Sequence, residues 1–420
     1  MTTATPLHAV YCEGWDADRR AVVGRLTAAT ARERDRSGEQ YAVAVIEPGT
    51  DTVVAVLEIA WSDHFARCWH LDVHGRRHSV DEFRELDGRM FLLRSAEWGY
   101  DDPEQPEFDG ERARHEEVQC HPDGTVTRTT QPQGGSGSTR VTAVLTPVED
   151  LYSDVPRFGE WGGLVRLDAD PVVRPDPAAD ESAEPPWRPA AQLRPERLDL
   201  VFQPDVRWTL EGTDDVVVTD VRDGGVVRMP SGRVVVADPG SLSAGRKPFT
   251  ATVPPGDYGV ELAVIRFVAE EHRRVAAAKL VVSTEPVASW EPALTAGQNP
   301  VLLGDGAFFG FGVDAGMACF VDGDVLGAME RTVEEVYATQ LVGVPAGESV
   351  EVREPESGAT LIAFGSGWGD GAYPTWVGRT AAGDIACFVA DMLVLHGATA
   401  VQDEHEDQPR SARVFQNISS

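Results

Sequence analysis

Short apolar runs, some alternating with polar residues and some continuous, recur between turn residues along the chain, and they predict strands. Tyr41 to Ile46 and Thr52 to Ile59 flank Glu47-Pro48-Gly49-Thr50-Asp51, a hairpin signature. Arg67 to Val73 alternates Trp69, Leu71 and Val73 against Cys68, His70 and Asp72, so the first set is expected inside and the second in solvent. Arg89 to Arg94, Thr125 to Thr129 and Arg140 to Leu145 continue the pattern, with Gln131 to Thr139 as a hairpin loop. Near the start the period changes. Val22, Val23, Leu26 and Ala29 follow Asp16 at helical spacing, which predicts an N-terminal helix capped by Asp16.

The second half repeats the strand pattern. Asp215 to Val221, Arg233 to Ala237, Tyr258 to Phe267, Arg274 to Val282, Phe308 to Val313, Met317 to Val321, Val350 to Arg353, Thr360 to Phe364 and Asp384 to Val394 all read as strands. One helix interrupts them from Val325 to about Ala338, where Leu326, Met329, Val333, Val336 and Tyr337 share a stripe behind Asp322 and Asp324. The fold class expected is α+β: two mostly antiparallel, β-rich domains with few helices.

Composition places the boundaries. Between Asp168 and Pro195 seven prolines alternate with Asp, Glu and Ala without apolar periodicity, which predicts an extended linker. The expected organisation is therefore 1–167 for the first domain, 168–200 for the linker, 201–400 for the second domain and 401–420 for an acidic tail. Thirty-seven basic against 68 acidic side chains leave a formal charge of −31. A charge of that sign argues against nucleic acid or an anionic membrane surface as partner and favours a basic protein. Five scattered cysteines, with no C-x-x-C pair, suggest neither a disulfide framework nor a zinc ribbon. No apolar run approaches ~18 residues and Met1 to Val10 does not read as a signal peptide, so the expected compartment is the cytoplasm.

Four features bear on chemistry. Gly304 to Gly316 is glycine-rich, but its glycines interleave with aromatics and lead into a strand, unlike a dinucleotide fingerprint that opens a helix. Close backbone approach is the expected reason for them. Cys68, His70, Asp72 and His74 would share one strand face with ligand-capable chemistry, though their spacing matches no zinc module; Cys120 and His121 beside His115 pose the same question. Asp238, Asp257, Asp314, Asp370 and Asp391 stand at strand ends, where carboxylates either cap turns or converge on a cation. Finally, Phe364 to Trp376 (FGSGWGDGAYPTW) packs four glycines around Trp368 and Asp370 ahead of Tyr373 and Trp376. That composition predicts a loop with positive φ angles, at Gly369 and Gly371 above all, that presents aromatics to a ligand or partner.

Taken in order, Met229 to Arg233 with Asp238-Pro239, Val253 to Tyr258, Arg274 to Leu280, Pro286 to Trp290, Gly312 to Gly316 and Gly367 to Gly371 with Tyr373-Pro374 resemble the bacterial domain of unknown function 4241 family. The resemblance covers about Val216 to Leu395. It implies a domain identity and brings no activity, cofactor or catalytic residue with it.

Two functions remain open. One is a non-enzymatic binding protein, of the kind found in bacterial conflict or immunity, with Asp314, Trp368, Asp370, Tyr373 and Trp376 at its contact surface. The alternative is a metal-assisted hydrolase with ligands drawn from Asp238, Asp257, Asp314, Asp370 and Asp391, and Tyr373 orienting substrate. Geometry separates them, because the second requires at least three of those carboxylates in one pocket.

Overall fold

A computed structural model describes residues 6–134, 137–144, 147–174 and 183–401. The chain divides into two compact units: one runs to Ala191 and takes in Val301–Asp305, and the other holds Gln192–Pro300 and the residues from Gly306 on.

The first unit is built on one antiparallel meander. From Tyr41–Ile46 through Val53–Ala60, Phe65–Leu71, Arg77–Leu86, Arg89–Gly99, Arg114–Cys120 and Thr125–Gln131 to Thr139–Val144, each strand pairs with the next. His8–Asp16 extends the sheet beside Tyr41–Ile46. One face buries Tyr11, Tyr41, Val43, Leu57 and Ile59 under the helix Ala28–Ser37 and Trp161; the other buries Val10, Ala42, Ala44 and Val56. Strict alternation from Tyr41 to Ile46 thus serves two cores.

The expected N-terminal helix begins later than its periodicity suggests. His8–Asp16 and Ala21–Arg25 form a hairpin, with Gly14 opposite Val23 and Asp16 opposite Ala21. Asp16 caps the turn between them, accepting from the Arg19 amide at 2.9 Å. Adjacent β-branched Val22 and Val23 favour the strand, and the helix starts only after Thr27, whose hydroxyl accepts from the Thr30 amide. Around Phe65–Leu71 only Leu71 of the three residues expected inside is buried, after a register shift between His70 and Leu71. Cys68 is fully buried, Val73 is 89% exposed in the following turn, and Trp69 lies on the other face against the guanidinium groups of Arg67 and Arg77.

The flanks of the proline-rich segment pack. Val172 and Val173 pair in parallel with His8 and Ala9. Trp187 donates its Nε1 hydrogen to the Glu13 carbonyl at 2.8 Å and its own carbonyl accepts from Gln40. Residues 175–182, the centre of the expected linker, and 402–420, most of the expected tail, lie outside the described residues.

The second unit has three layers. A large antiparallel sheet runs Ser289–Pro292, Gly371–Arg379, Ile385–Asp391, Arg273–Val281, Gly256–Phe267, Val216–Met229, Arg207–Thr209 and Thr399–Val401. A small sheet orders Val234–Ala237, Met317–Asp322, Thr360–Gly365 and Ser349–Arg353. Val234, Val236, Phe320, Ile362 and Phe364 face the large sheet. Their alternates Val235, Cys319, Val321, Leu361 and Ala363 pack under Leu326, Met329 and Val333 of the helix Leu326–Val336. Burial on both faces explains why these strands read as continuous apolar runs.

Candidate functional site

The glycine-aromatic segment is a short loop between strands of the two sheets. Thr360–Gly365 ends, Ser366 to Asp370 turn, and Gly371–Arg379 begins. The expected long loop is therefore corrected: despite Pro374, the segment from Gly371 pairs with Ser289–Pro292, Ile385–Asp391 and Gly310–Val313. The turn is fastened from below. Tyr373 Oη and Ser366 Oγ both donate to the Gly369 carbonyl, at 2.8 and 2.9 Å, and the Gly369 amide donates to the Ser366 carbonyl at 3.0 Å.

Two of the aromatics singled out for contact are thereby structural. Tyr373 and Trp376 are buried, and Trp376 donates Nε1–H to Asp391 Oδ2 at 3.1 Å. Burial, reinforced by Asp370, pushes the Tyr373 hydroxyl above its usual pKa. Trp368 is different. It is 54% exposed, edge-on to Phe267, with the Arg274 guanidinium 5.6 Å from its ring centre.

Backbone geometry redistributes the demand for glycine. Gly369 has φ +107° and open space around it, while Gly371 lies outside the left-handed region. Gly367 carries the tightest constraint: φ is +61°, and a Cβ there would stand 2.7 Å from Val394 and 2.8 Å from Met392. In the earlier glycine-rich run, a Cβ on Gly310 would fall 2.3 Å from the Tyr373 carbonyl oxygen, the close approach that run suggested.

The strand-end aspartates do not converge. Among the described residues, no group of three or more His, Cys, Asp or Glu side chains could hold a metal ion. Asp238 is 1% exposed; its Oδ1 accepts from the Gly240 amide, and its Oδ2 from the amides of Asp314 and Ala315 at 2.8 and 2.9 Å. Asp391 accepts from Trp376 and the Leu393 amide, and burial raises its pKa. Asp257, Asp314 and Asp370 are exposed. The ligand set needed by the hydrolase alternative is therefore absent: two of the carboxylates are consumed by internal hydrogen bonds and three face solvent.

The histidine-rich stretch fares likewise. Cys68 Sγ lies 3.8 Å from His70 Nε2, but Asp72 turns away to accept from the His74 amide and from Arg76. His115 stacks on Trp98 with ring centres 5.0 Å apart. Burial lowers the pKa of both His70 and His115, which favours neutral rings.

Asp238 has a consequence for Asp314. By gripping two amides of the turn after Gly310–Val313, it fixes the Asp314 carboxylate at the mouth of a cleft of about 480 Å³. Leu242, Val333 and Tyr337 supply its apolar wall, and Glu330 and Glu334 from the helix Leu326–Val336 complete its charge. No cationic side chain lines it. Beside it, sharing Ala315 and Tyr337, lies a second cavity of about 390 Å³ lined by Arg273 and Arg274. Of this site the sequence singled out Asp238, Asp314 and Trp368. Glu330 and Glu334 were missed, although their i, i+4 spacing in a helix already places them on one face.

No helix among the described residues is long and apolar enough to cross a membrane. No curated protein matches the chain. Residues 227–390, which include every residue of the acidic cleft, match the family described as Protein of unknown function (DUF4241), so the family resemblance of the second half is shown over that stretch.

Proposed function

We propose that this chain is a non-enzymatic binding protein whose second unit takes a basic side chain of a protein partner in the acidic cleft. The observation that carries this is the cleft's one-sided charge: Asp314, Glu330 and Glu334 around an apolar wall, with no lining cation to neutralise them. In a chain of formal charge −31, such a cleft steers a basic partner electrostatically, and Leu242, Val333 and Tyr337 receive the aliphatic stem of an arginine or lysine. Trp368, exposed in the neighbouring turn, supplies an aromatic anchor. Five buried, unpaired cysteines fit a reducing compartment, and we place the protein in the cytoplasm.

The test is titration of a short arginine-rich peptide into the full chain at low and moderate salt. Saturable binding that weakens with salt, mainly through the on-rate, is expected. The triple variant Asp314→Asn, Glu330→Gln, Glu334→Gln should lose about tenfold or more in affinity. Absence of saturable binding, or equal binding by the triple variant, overturns the reading.

A further inference from the structure

A cavity of about 270 Å³ that shares no lining residue with the acidic cleft has a polar lining of the opposite character. Arg246 and Lys247 reach it from the segment that follows Leu242, and Thr295 and Gln298 from the turn after Ser289–Pro292. No carboxylate lines it. Both positive charges stand in a protein with 31 more acids than bases, yet Lys247 Nζ is held only by the Ala296 carbonyl at 3.4 Å, and Arg246 has no ion pair among the described residues. Arg246 is half-buried and Lys247 exposed, so both charges are accessible to an anion that enters the cavity.

Thr375 points to the same conclusion independently. It lies in Gly371–Arg379, is 2% exposed, and lines this cavity, and its Oγ1 is buried without a hydrogen-bond partner. An unpartnered buried hydroxyl is costly, and valine would fill the same volume in a strand without that cost. Gln298 is half committed: its Oε1 accepts from the Thr295 amide at 2.8 Å, so its Nε2 hydrogens are the donors left for a ligand. Phe309 and Phe311 add aromatic walls.

From these residues we infer an oxyanion site: Arg246 and Lys247 bind the charge of a small anion, the Thr375 hydroxyl and the Gln298 amide donate to its oxygens, and Phe309 and Phe311 hold a flat body attached to it. The ligand class is a small aromatic phosphate or carboxylate. Planar guanidinium recognition suits either oxyanion, and the volume excludes a polymer segment from full enclosure. The site is distinct from the acidic cleft and stands or falls without it.

Calorimetric titration of the full chain with phenyl phosphate, benzoate and inorganic phosphate tests the inference. Saturable binding of at least one ring-bearing anion, tighter than inorganic phosphate, is expected. Thr375→Val should weaken it by about tenfold, since the lost hydroxyl contacts an anion, and Arg246→Gln by as much or more. Binding of phenyl phosphate alone identifies a phosphate site, and of benzoate alone a carboxylate site. A second readout guards against misfolding: without ligand, Thr375→Val should melt no lower than wild type. No saturable binding, equal affinity in Thr375→Val, or a markedly lower melting temperature for that variant in the absence of ligand would overturn the assignment.

Discussion

The two units handle interior carboxylates by different means. In the first, arginine does most of the neutralising: Arg34 forks onto Glu13 at 2.7 and 2.9 Å, Arg67 Nε meets Glu58 at 2.6 Å, and Arg84 meets Glu82 at 2.6 Å. In the second, the main chain does it. Asp322, fully buried, accepts from the amides of Ser231, Gly232 and Asp324 and from the Ser231 hydroxyl, and Asp238 and Glu354 similarly hold turns. An arginine pair is made through two flexible side chains, whereas a carboxylate on amides fixes backbone. The second arrangement positions a rim residue such as Asp314 more sharply.

The difference predicts where single changes do most damage. Asp322→Ala would strand four donors in the interior and should cost about 3–5 kcal/mol, read from the denaturant midpoint. A loss below that of an ordinary surface substitution would show that the clamp is dispensable. Next come the glycines of the Trp368 turn. Gly367→Ala combines a left-handed backbone with two contacts under 3 Å and should cost about 2–4 kcal/mol. Gly369→Ala meets open space and should cost about 1–2 kcal/mol, and Gly371→Ala about 0.5 kcal/mol or less. Equal tolerance at the three positions would contradict the geometry.

A smaller effect separates Glu58 from Glu354. Burial raises the Glu58 pKa despite Arg67, whereas hydrogen bonds from the Ser357 hydroxyl and amide and the Glu356 amide lower that of Glu354. Between the unfolded and the raised folded pKa, the native state holds more protons at Glu58, so that contribution to stability falls as pH rises through the interval. The Glu354 contribution is complete above the unfolded carboxylate pKa and is lost as pH falls through the depressed folded value. Stability measured across the acidic range should therefore lose a gain on acidification in Glu58→Gln and lose a decline in Glu354→Gln. Identical pH profiles for the two variants would remove the distinction.

Much of the second unit was legible because its small sheet is buried on both faces: Met317–Asp322 and Thr360–Gly365 read as apolar runs and form central strands. Arg77–Leu86 escaped notice because Asp81, Glu82 and Arg84 lie inside it, and their burial depends on Arg166, Ser95 and one another, pairings that no local window displays. Gly371–Arg379 was hidden by Pro374 and its glycines. The candidate site was legible only in part. Strand-end position drew attention to Asp238 and Asp314, but whether a carboxylate binds an ion or its own backbone depends on which amides the fold brings near, and those of Asp314 and Ala315 lie more than seventy residues along the chain.

The central claim is that buried Asp238 builds the acidic cleft by holding the turn that presents Asp314. Amide hydrogen exchange at Asp314 and Ala315, in wild type and in Asp238→Ala, tests it most directly. Both amides should be protected in the wild type and exchange about a hundredfold faster in the variant, while amides of Gly256–Phe267 keep their protection. Unchanged protection of Asp314 and Ala315 in folded Asp238→Ala protein would contradict it.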